Sequence, residues 1–141
     1  MCSSDLVKVN IDLIRSLEQG GYLPVIAPVG VGLAGESYNI NADVVAGRVA
    51  AALNAEKLIL LTDTPGVLDK DKKLIQKIKV AQIHGLIEDE SITGGMIPKV
   101  VCCADALRDG VRKSHIIDGR MEHSVLLEIF TDVGIGTEIT K

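Results

Sequence analysis

Thr93-Gly94-Gly95-Met96-Ile97-Pro98-Lys99 has the residue types of a phosphate cradle. Two adjacent glycines let a ligand approach bare backbone. Pro98 suits the first turn of a helix, where its missing N–H costs nothing. Lys99 adds an ammonium near that helix's N-terminus, where free N–H groups and the dipole already draw anions. Two positive features side by side make most sense with a polyanion between them. The plain alternative is a flexible surface loop followed by an ordinary helix with a solvated lysine. The stretch does not have Walker A spacing, so that mechanism does not transfer.

A second group, Tyr38-Asn39-Ile40-Asn41-Ala42-Asp43, places Asn39 and Asn41 on one side of an extended segment entering a helix. Asn41 as N-cap and Asp43 as a first-turn carboxylate account for two of these residues without any ligand. A third, Thr62-Asp63-Thr64-Pro65-Gly66-Val67-Leu68, directly follows the apolar run Lys57 to Thr62. Asp63 and Thr62 there could meet a ribose, a phosphate or a metal; a tight turn using Asp, Pro and Gly is the competing reading.

The elements that must position these groups follow from periodicity. The chain alternates short aliphatic strands with helical stretches and has no low-complexity linker. Asn10 can cap a helix through Leu17, closed by Gly20-Gly21, and Leu23 to Pro28 reads as a buried strand. Asn41 can cap a helix over 42–53, and 57–62 is the clearest strand. Helices follow at 80–87 and 97–107, a strand at 114–118, a helix at 122–130 and a last strand within 134–139. This alternation predicts a parallel or mostly parallel sheet with helices on both faces, whose ligands gather at the strands' carboxyl ends.

Composition sets the outer bounds. The chain has 141 residues, 47% of them apolar and almost all aliphatic, with no Trp, two Tyr and one Phe. One α/β domain, or a large part of one, is the expected scale. A net charge of −4 leaves no basic footprint for nucleic acid or for an anionic membrane. The apolar runs are too short to span a bilayer, and the N-terminus lacks a signal-peptide pattern. Three cysteines, two of them the neighbours Cys102 and Cys103, form neither a disulfide framework nor a metal-type spacing; they read as small buried fillers of a cytoplasmic protein. No metal site is expected from the side chains themselves.

Taken together, Tyr-Asn-Ile-Asn-Ala-Asp at 38–43, Leu-Leu-Thr-Asp-Thr-Pro-Gly-Val-Leu at 60–68 and Gly-Gly-Met-Ile-Pro-Lys at 94–99 resemble the amino acid kinase superfamily. His-Ile-Ile-Asp-Gly-Arg at 115–120 and Glu-Ile-Phe-Thr-Asp-Val-Gly-Ile-Gly-Thr at 128–137 narrow the resemblance to the acetylglutamate kinase family. The resemblance implies a three-layer α/β/α sandwich with a mainly parallel sheet. It also implies phosphorylation of the side-chain carboxylate of N-acetyl-L-glutamate by ATP, an early step of arginine biosynthesis, with Mg2+ held mainly by the nucleotide. Residue by residue, it makes Asn39 a substrate contact, Asp43 the aspartate that orients catalytic lysines, and Lys99 the lysine that stabilises the transferring phosphoryl group. Thr62, Asp63, Gly66, Leu68, Gly94, Gly95 and Met96 then belong to nucleotide-binding loops. Arginine-inhibited members of the family point to an effector site at His115, Glu128 and Gly134.

The departures are as informative. The family's first half carries a Lys-x-Gly-Gly strand end, a second glycine-rich turn and a substrate-binding arginine, and none occurs here. Residues 1–6 fit no family pattern and read as a stub, an artefact of gene calling or of a truncated read; 7–141 is expected to be the C-terminal ATP-binding part, inactive alone. The full-length protein is expected to be a homo-oligomer, with arginine as a feedback inhibitor and a PII-type protein as further partners. The alternatives are a nucleotide-binding or regulatory module without transferase activity, or a family member acting on glutamate, carbamate or uridylate.

Overall fold

The computed structural model describes residues 8–131 and 134–141; the stub at 1–6 and Asp132-Val133 of the last motif lie outside them. In chain order the elements are α1 (Asp12–Gln19), β1 (Val29–Val31), β2 (Ser37–Asn39), α2 (Ala42–Leu53), β3 (Lys57–Thr62), β4 (Lys77–Lys79), α3 (Val80–Glu88), α4 (Met96–Arg108), β5 (Lys113–Asp118), α5 (Ser124–Phe130) and β6 (Thr137–Thr140). A four-stranded sheet has the order β3-β5-β6-β4, and β1 pairs with β2 in a separate antiparallel hairpin. β3 and β5 run parallel, as do β4 and β6, while β5 and β6 are antiparallel. The sheet is therefore mainly parallel, with one antiparallel seam.

Strand alternation assigns the faces. On β5, Ser114 and Ile116 are fully buried towards α4, and the Ser114 hydroxyl donates to the Cys103 carbonyl of that helix. His115 and Ile117 point the opposite way, where α5 brings Glu128 against His115. Helices thus lie on both faces. The core is the layer between β3, β5, β6 and the helices α2 and α4: Leu58, Leu60, Val100, Cys103, Leu107, Val111, Ile116 and Ile139 are all buried there. Each large aliphatic chain taken out of water in this layer contributes roughly 1.5–3 kcal/mol.

Two helix-to-strand units carry the site. α2 ends in a left-handed Asn54, whose N–H bonds back to Ala50 and Ala51, and β3 begins three residues later. α4 turns back through Gly110 at φ +119° into β5. Connections this short make each helix antiparallel to its strand. With β3 and β5 parallel, the first turns of α2 and α4 both lie over the carboxyl edge of the sheet, where Thr62 stands in register with Asp118.

Two expectations fail. Leu23 to Pro28 is not a buried strand: Leu23 is 90% and Val25 94% exposed, and neither belongs to a sheet. An apolar run becomes a strand only where neighbours take up its backbone hydrogen bonds, and no described strand flanks this one. Asn10 is not itself the cap residue of α1; Ile11 holds that position, and Asn10 Oδ1 accepts from the Asp12 N–H at 3.0 Å. Smaller shifts trim the last helix to Ser124 and the last strand to Thr137.

β6 enters the sheet through a close approach. A Cβ on Gly136 would collide with the Ile116 carbonyl oxygen and stand 3.0 Å from Ile117 Cα. Both obstacles are backbone of the central strand. Gly136→Ala is expected to destabilise the chain by about 3 kcal/mol, read as a lowered urea midpoint.

Candidate functional site

Asp43 and Lys99, 56 residues apart in the chain, meet at the carboxyl edge. Asn41 Oδ1 accepts from the N–H groups of Asp43 (2.9 Å) and Val44 (3.4 Å), fixing the first turn of α2 with the Asp43 carboxylate on it. Gly95 caps α4, so Pro98 falls within the first turn and Lys99 is its fourth residue. Lys99 Nζ donates to both carboxylate oxygens of Asp43, at 3.1 and 3.0 Å. Both side chains are only about one-fifth exposed, 22% for Lys99 and 20% for Asp43. Lys99 is thus neither a freely solvated lysine nor dependent on a ligand alone for counter-charge: a carboxylate of the protein pairs with it. Asp43 holds the ammonium in place, and the Lys99 side chain keeps about one-fifth of its surface open to solvent.

Gly94 and Gly95 precede this helix on open ground. Gly94 takes φ +55°, and a Cβ on either glycine would meet nothing within 4 Å. Thr93 and the two glycines are exposed, with Met96 half-buried behind them. Met96 and Ile97 bond back to Thr93 and Gly94, each at 3.2 Å, which closes the turn. Bare, accessible backbone leading into a helix N-terminus beside a lysine suits a chain of phosphates.

Thr62 and Asp63 lie at the end of β3, and Thr62 Oγ1 donates to Asp63 Oδ1 at 3.3 Å. Gly66 and Leu68 turn inward instead. Gly66 is buried at φ +146°, with Leu74 Cδ1 at 2.7 Å and Thr137 Oγ1 at 2.8 Å from where a Cβ would sit. Thr137 Oγ1 accepts from the Val67 N–H at 2.8 Å and donates to the Ile75 carbonyl at 2.7 Å. Leu68 pairs with Leu74. These two residues shape the loop from beneath. Asn39, the last residue of β2, is exposed beside the α2 entry.

Asp118-Gly119-Arg120, part of the 115–120 motif, adds a polar group at the same edge. Arg120 forks onto Asp118, Nε to Oδ1 at 3.0 Å and an Nη to Oδ2 at 2.8 Å, while Gly119 N–H donates to the Thr62 carbonyl at 2.8 Å. Asp63 lies within range of the same guanidinium. The signal was the acid-to-arginine spacing at a strand's carboxyl end. Hydrogen bonding from Arg120 holds the Asp118 carboxyl down, to about 2. A lowered folded-state value means that the fork's contribution is complete above the ordinary carboxylate range and is lost progressively as pH falls from there to about 2. In a carbon-detected NMR titration Asp118 should protonate near pH 2, and Arg120→Ala should return it towards 3.8.

A second polar centre lies at the opposite, amino edge. Lys57, Lys77, Lys113, His115, Glu128 and Glu138 help to line a cavity of about 340 Å³ that also reaches Gly134 and Gly136. His115 is 4% and Glu128 6% exposed. His115 Nδ1 stands 2.6 Å from Glu128 Oε1, and Glu128 Oε2 accepts from the Ile135 N–H at 3.0 Å. Burial pushes the His115 imidazole below its ordinary value, against the opposing pull of Glu128. A neutral ring donating through Nδ1 presents Nε2 as an acceptor, and that buried atom has no partner among the described residues. Glu138 bonds Lys113 at 2.7 Å, which holds its carboxyl below the usual range.

Cys102 and Cys103 are buried as expected, and burial pushes the Cys102 thiol up to about 11. Among the described residues no three His, Cys, Asp or Glu side chains cluster as a metal site, and no helix is long and apolar enough to cross a membrane.

The model of the amino acid kinase family matches residues 3–118, and the chain belongs to that family. It is 91% identical over 137 residues to an acetylglutamate kinase of Trichlorobacter lovleyi, a match covering 97% of this chain and 47% of that protein. An acetylglutamate kinase of Pelobacter propionicus is 76% identical over the same length, again covering 97% of this chain and 47% of the relative. The chain therefore spans about half the length of the curated relatives it matches. Among solved structures it is similar to the N-acetylglutamate synthase of Neisseria gonorrhoeae complexed with coenzyme A and L-arginine, with a TM-score of 0.89 and 29% identity over 95% of this chain and 31% of that one. Carbamate kinase from Giardia lamblia bound to AMP-PNP superposes with a TM-score of 0.74 at 23% identity, over 94% of this chain and 45% of that one, a likeness of fold alone.

Proposed function

We propose that this chain is the nucleotide-binding portion of an acetylglutamate kinase, which transfers the γ-phosphoryl group of ATP to the side-chain carboxylate of N-acetyl-L-glutamate in arginine biosynthesis. The observation that carries the proposal is the bidentate Lys99–Asp43 pair at the helix N-termini, beside the open Gly94-Gly95 backbone. In the reaction a carboxylate oxygen attacks the γ-phosphorus and the bond to the β–γ bridging oxygen breaks. ADP leaves and an acyl phosphate forms. Such a transfer asks the protein mainly for positioning and for positive charge around the phosphoryl oxygens. Lys99 supplies that charge, Asp43 keeps it aimed, and Gly94, Gly95 and Met96 receive the phosphates. Thr62 and Asp63 flank the nucleotide, and Asn39 contacts the acetylated substrate.

Magnesium bound to the phosphates would neutralise further charge in the transition state. The residues present fit a metal carried by the nucleotide: Asp43 is engaged by Lys99, and the Asp63 carboxylate at that edge is held by the Thr62 hydroxyl and lies near Arg120. Completing the chain with the remaining portion of the Trichlorobacter lovleyi relative and assaying ADP release should show turnover that requires N-acetyl-L-glutamate. Turnover with glutamate or carbamate instead would move the chain elsewhere in the family, and saturable nucleotide binding without turnover would favour a regulatory module.

The cavity at the amino edge supports a second role, binding of arginine as a feedback effector by His115, Glu128 and Gly134. A guanidinium supplies the donor that the buried His115 Nε2 lacks and can pair with Glu128, while Lys57, Lys77 and Lys113 suit an α-carboxylate. The gonococcal synthase bound to L-arginine has the same fold.

A further inference from the structure

The geometry points to Cys102 as a positioning residue for phosphoryl transfer: through the backbone carbonyl of Asp43 it fastens the first turn of α2 to α4 and so sets where the Asp43 carboxylate holds Lys99. This inference rests on the reading of Lys99 and Asp43 as catalytic machinery. Cys102 lies three residues after Lys99, on the same face of α4. Its Sγ–H donates to the Asp43 carbonyl oxygen at 2.8 Å, so one helix grips both the side chain and the main chain of Asp43.

The opposing surface is shaped to admit the sulfur. Gly47, one turn after Asp43 on α2, is buried, and a Cβ there would come within 2.7 Å of Cys102 Sγ and 3.9 Å of Ala106 Cβ. A glycine of one helix thus faces a thiol of the other, one turn behind the ion pair. A larger residue at 47 would part the helices, and a residue at 102 without a donor would free the α2 entry from α4. Only 9% of Cys102 is exposed, and burial keeps its thiol protonated, hence a donor, across the physiological range.

The test uses this chain labelled with 15N-lysine. Exchange of the Lys99 ammonium protons with water reports its pairing whether or not a nucleotide binds. Cys102→Ala and Gly47→Ala should each speed that exchange about fivefold, the effect of one ordinary hydrogen bond, while Cys102→Ser, which keeps a donor, should restore the parent rate. MgADP affinity should fall by a similar factor in the alanine variants and recover with serine. Parent-like exchange in folded Cys102→Ala, or failure of the serine variant to restore pairing, would overturn the assignment and leave Cys102 as packing alone. Should the parent chain not bind MgADP, the nucleotide reading fails separately, and the exchange rates still decide the role of Cys102.

Discussion

Replacing Lys99 with alanine is expected to lower kcat of the completed kinase by about two to three orders of magnitude, the usual cost of losing one preorganised charge at a developing oxyanion. The ammonium is held by two hydrogen bonds to Asp43 in a place only 22% open to water, so its orientation is fixed before any ligand arrives. In the proposed role Lys99 faces the group being transferred, so the loss should fall mainly on kcat, with a smaller rise in KM for ATP. Asp43→Asn keeps the shape and removes the charge that aims Lys99. It should cost less than the lysine variant, and combining the two should cost hardly more than Lys99→Ala alone, because the two residues act as a unit. Steady-state kinetics on the four proteins decides this; additive losses would mean that the pair is not functional as a pair.

The second large effect concerns Glu128. Its carboxylate satisfies His115 Nδ1 on one oxygen and the Ile135 N–H on the other, at 6% exposure. Glu128→Ala leaves both donors unpaired and opens a cavity beneath α5, and should cost roughly 3–5 kcal/mol of stability. Glu128→Gln, which can still accept from one donor, should cost less. Urea denaturation followed by circular dichroism gives both values. A loss below about 1 kcal/mol for the alanine variant, the scale of an exposed ion pair, would show that the pair is not buried in solution.

Local chemistry made some elements legible and hid others. β3 coincides with the expected 57–62 because its aliphatic run is bounded by a helix cap residue and an Asp-Thr-Pro-Gly turn. α2 begins at Ala42 because Asn41 is an effective cap, and its side chain makes the expected hydrogen bonds. β4, Lys77-Ile78-Lys79, has one apolar residue between two lysines and owes its existence to pairing with β6, a contact that no window of sequence contains. The β1–β2 hairpin joins two three-residue strands through a glycine-containing turn and carries no strand-length apolar run. Leu23 to Pro28 erred in the other direction, since composition supplies a strand's side chains but not its neighbours.

The site shows the same division. From local physics Lys99 and its glycines read either as an anion site or as a plain surface loop, whereas the partnership of Lys99 with Asp43 rested on the family resemblance, because nothing local links residues 56 positions apart. Gly66 carried two meanings that sequence cannot separate. Its positive φ and its contacts with Thr137 account for a glycine there without a ligand. Asp118 and Arg120 went unassigned because an acid and an arginine two residues apart are common on any surface; what distinguishes them is the register that sets Asp118 beside Thr62.

The most direct measurement is calorimetric titration of this chain with MgADP, beside Lys99→Ala. The proposed nucleotide site predicts saturable one-to-one binding, weakened about tenfold or more in the variant by loss of a charge-assisted hydrogen bond to phosphate. Equal binding by both proteins, or none by a parent chain whose circular dichroism shows folded α/β structure, would contradict it.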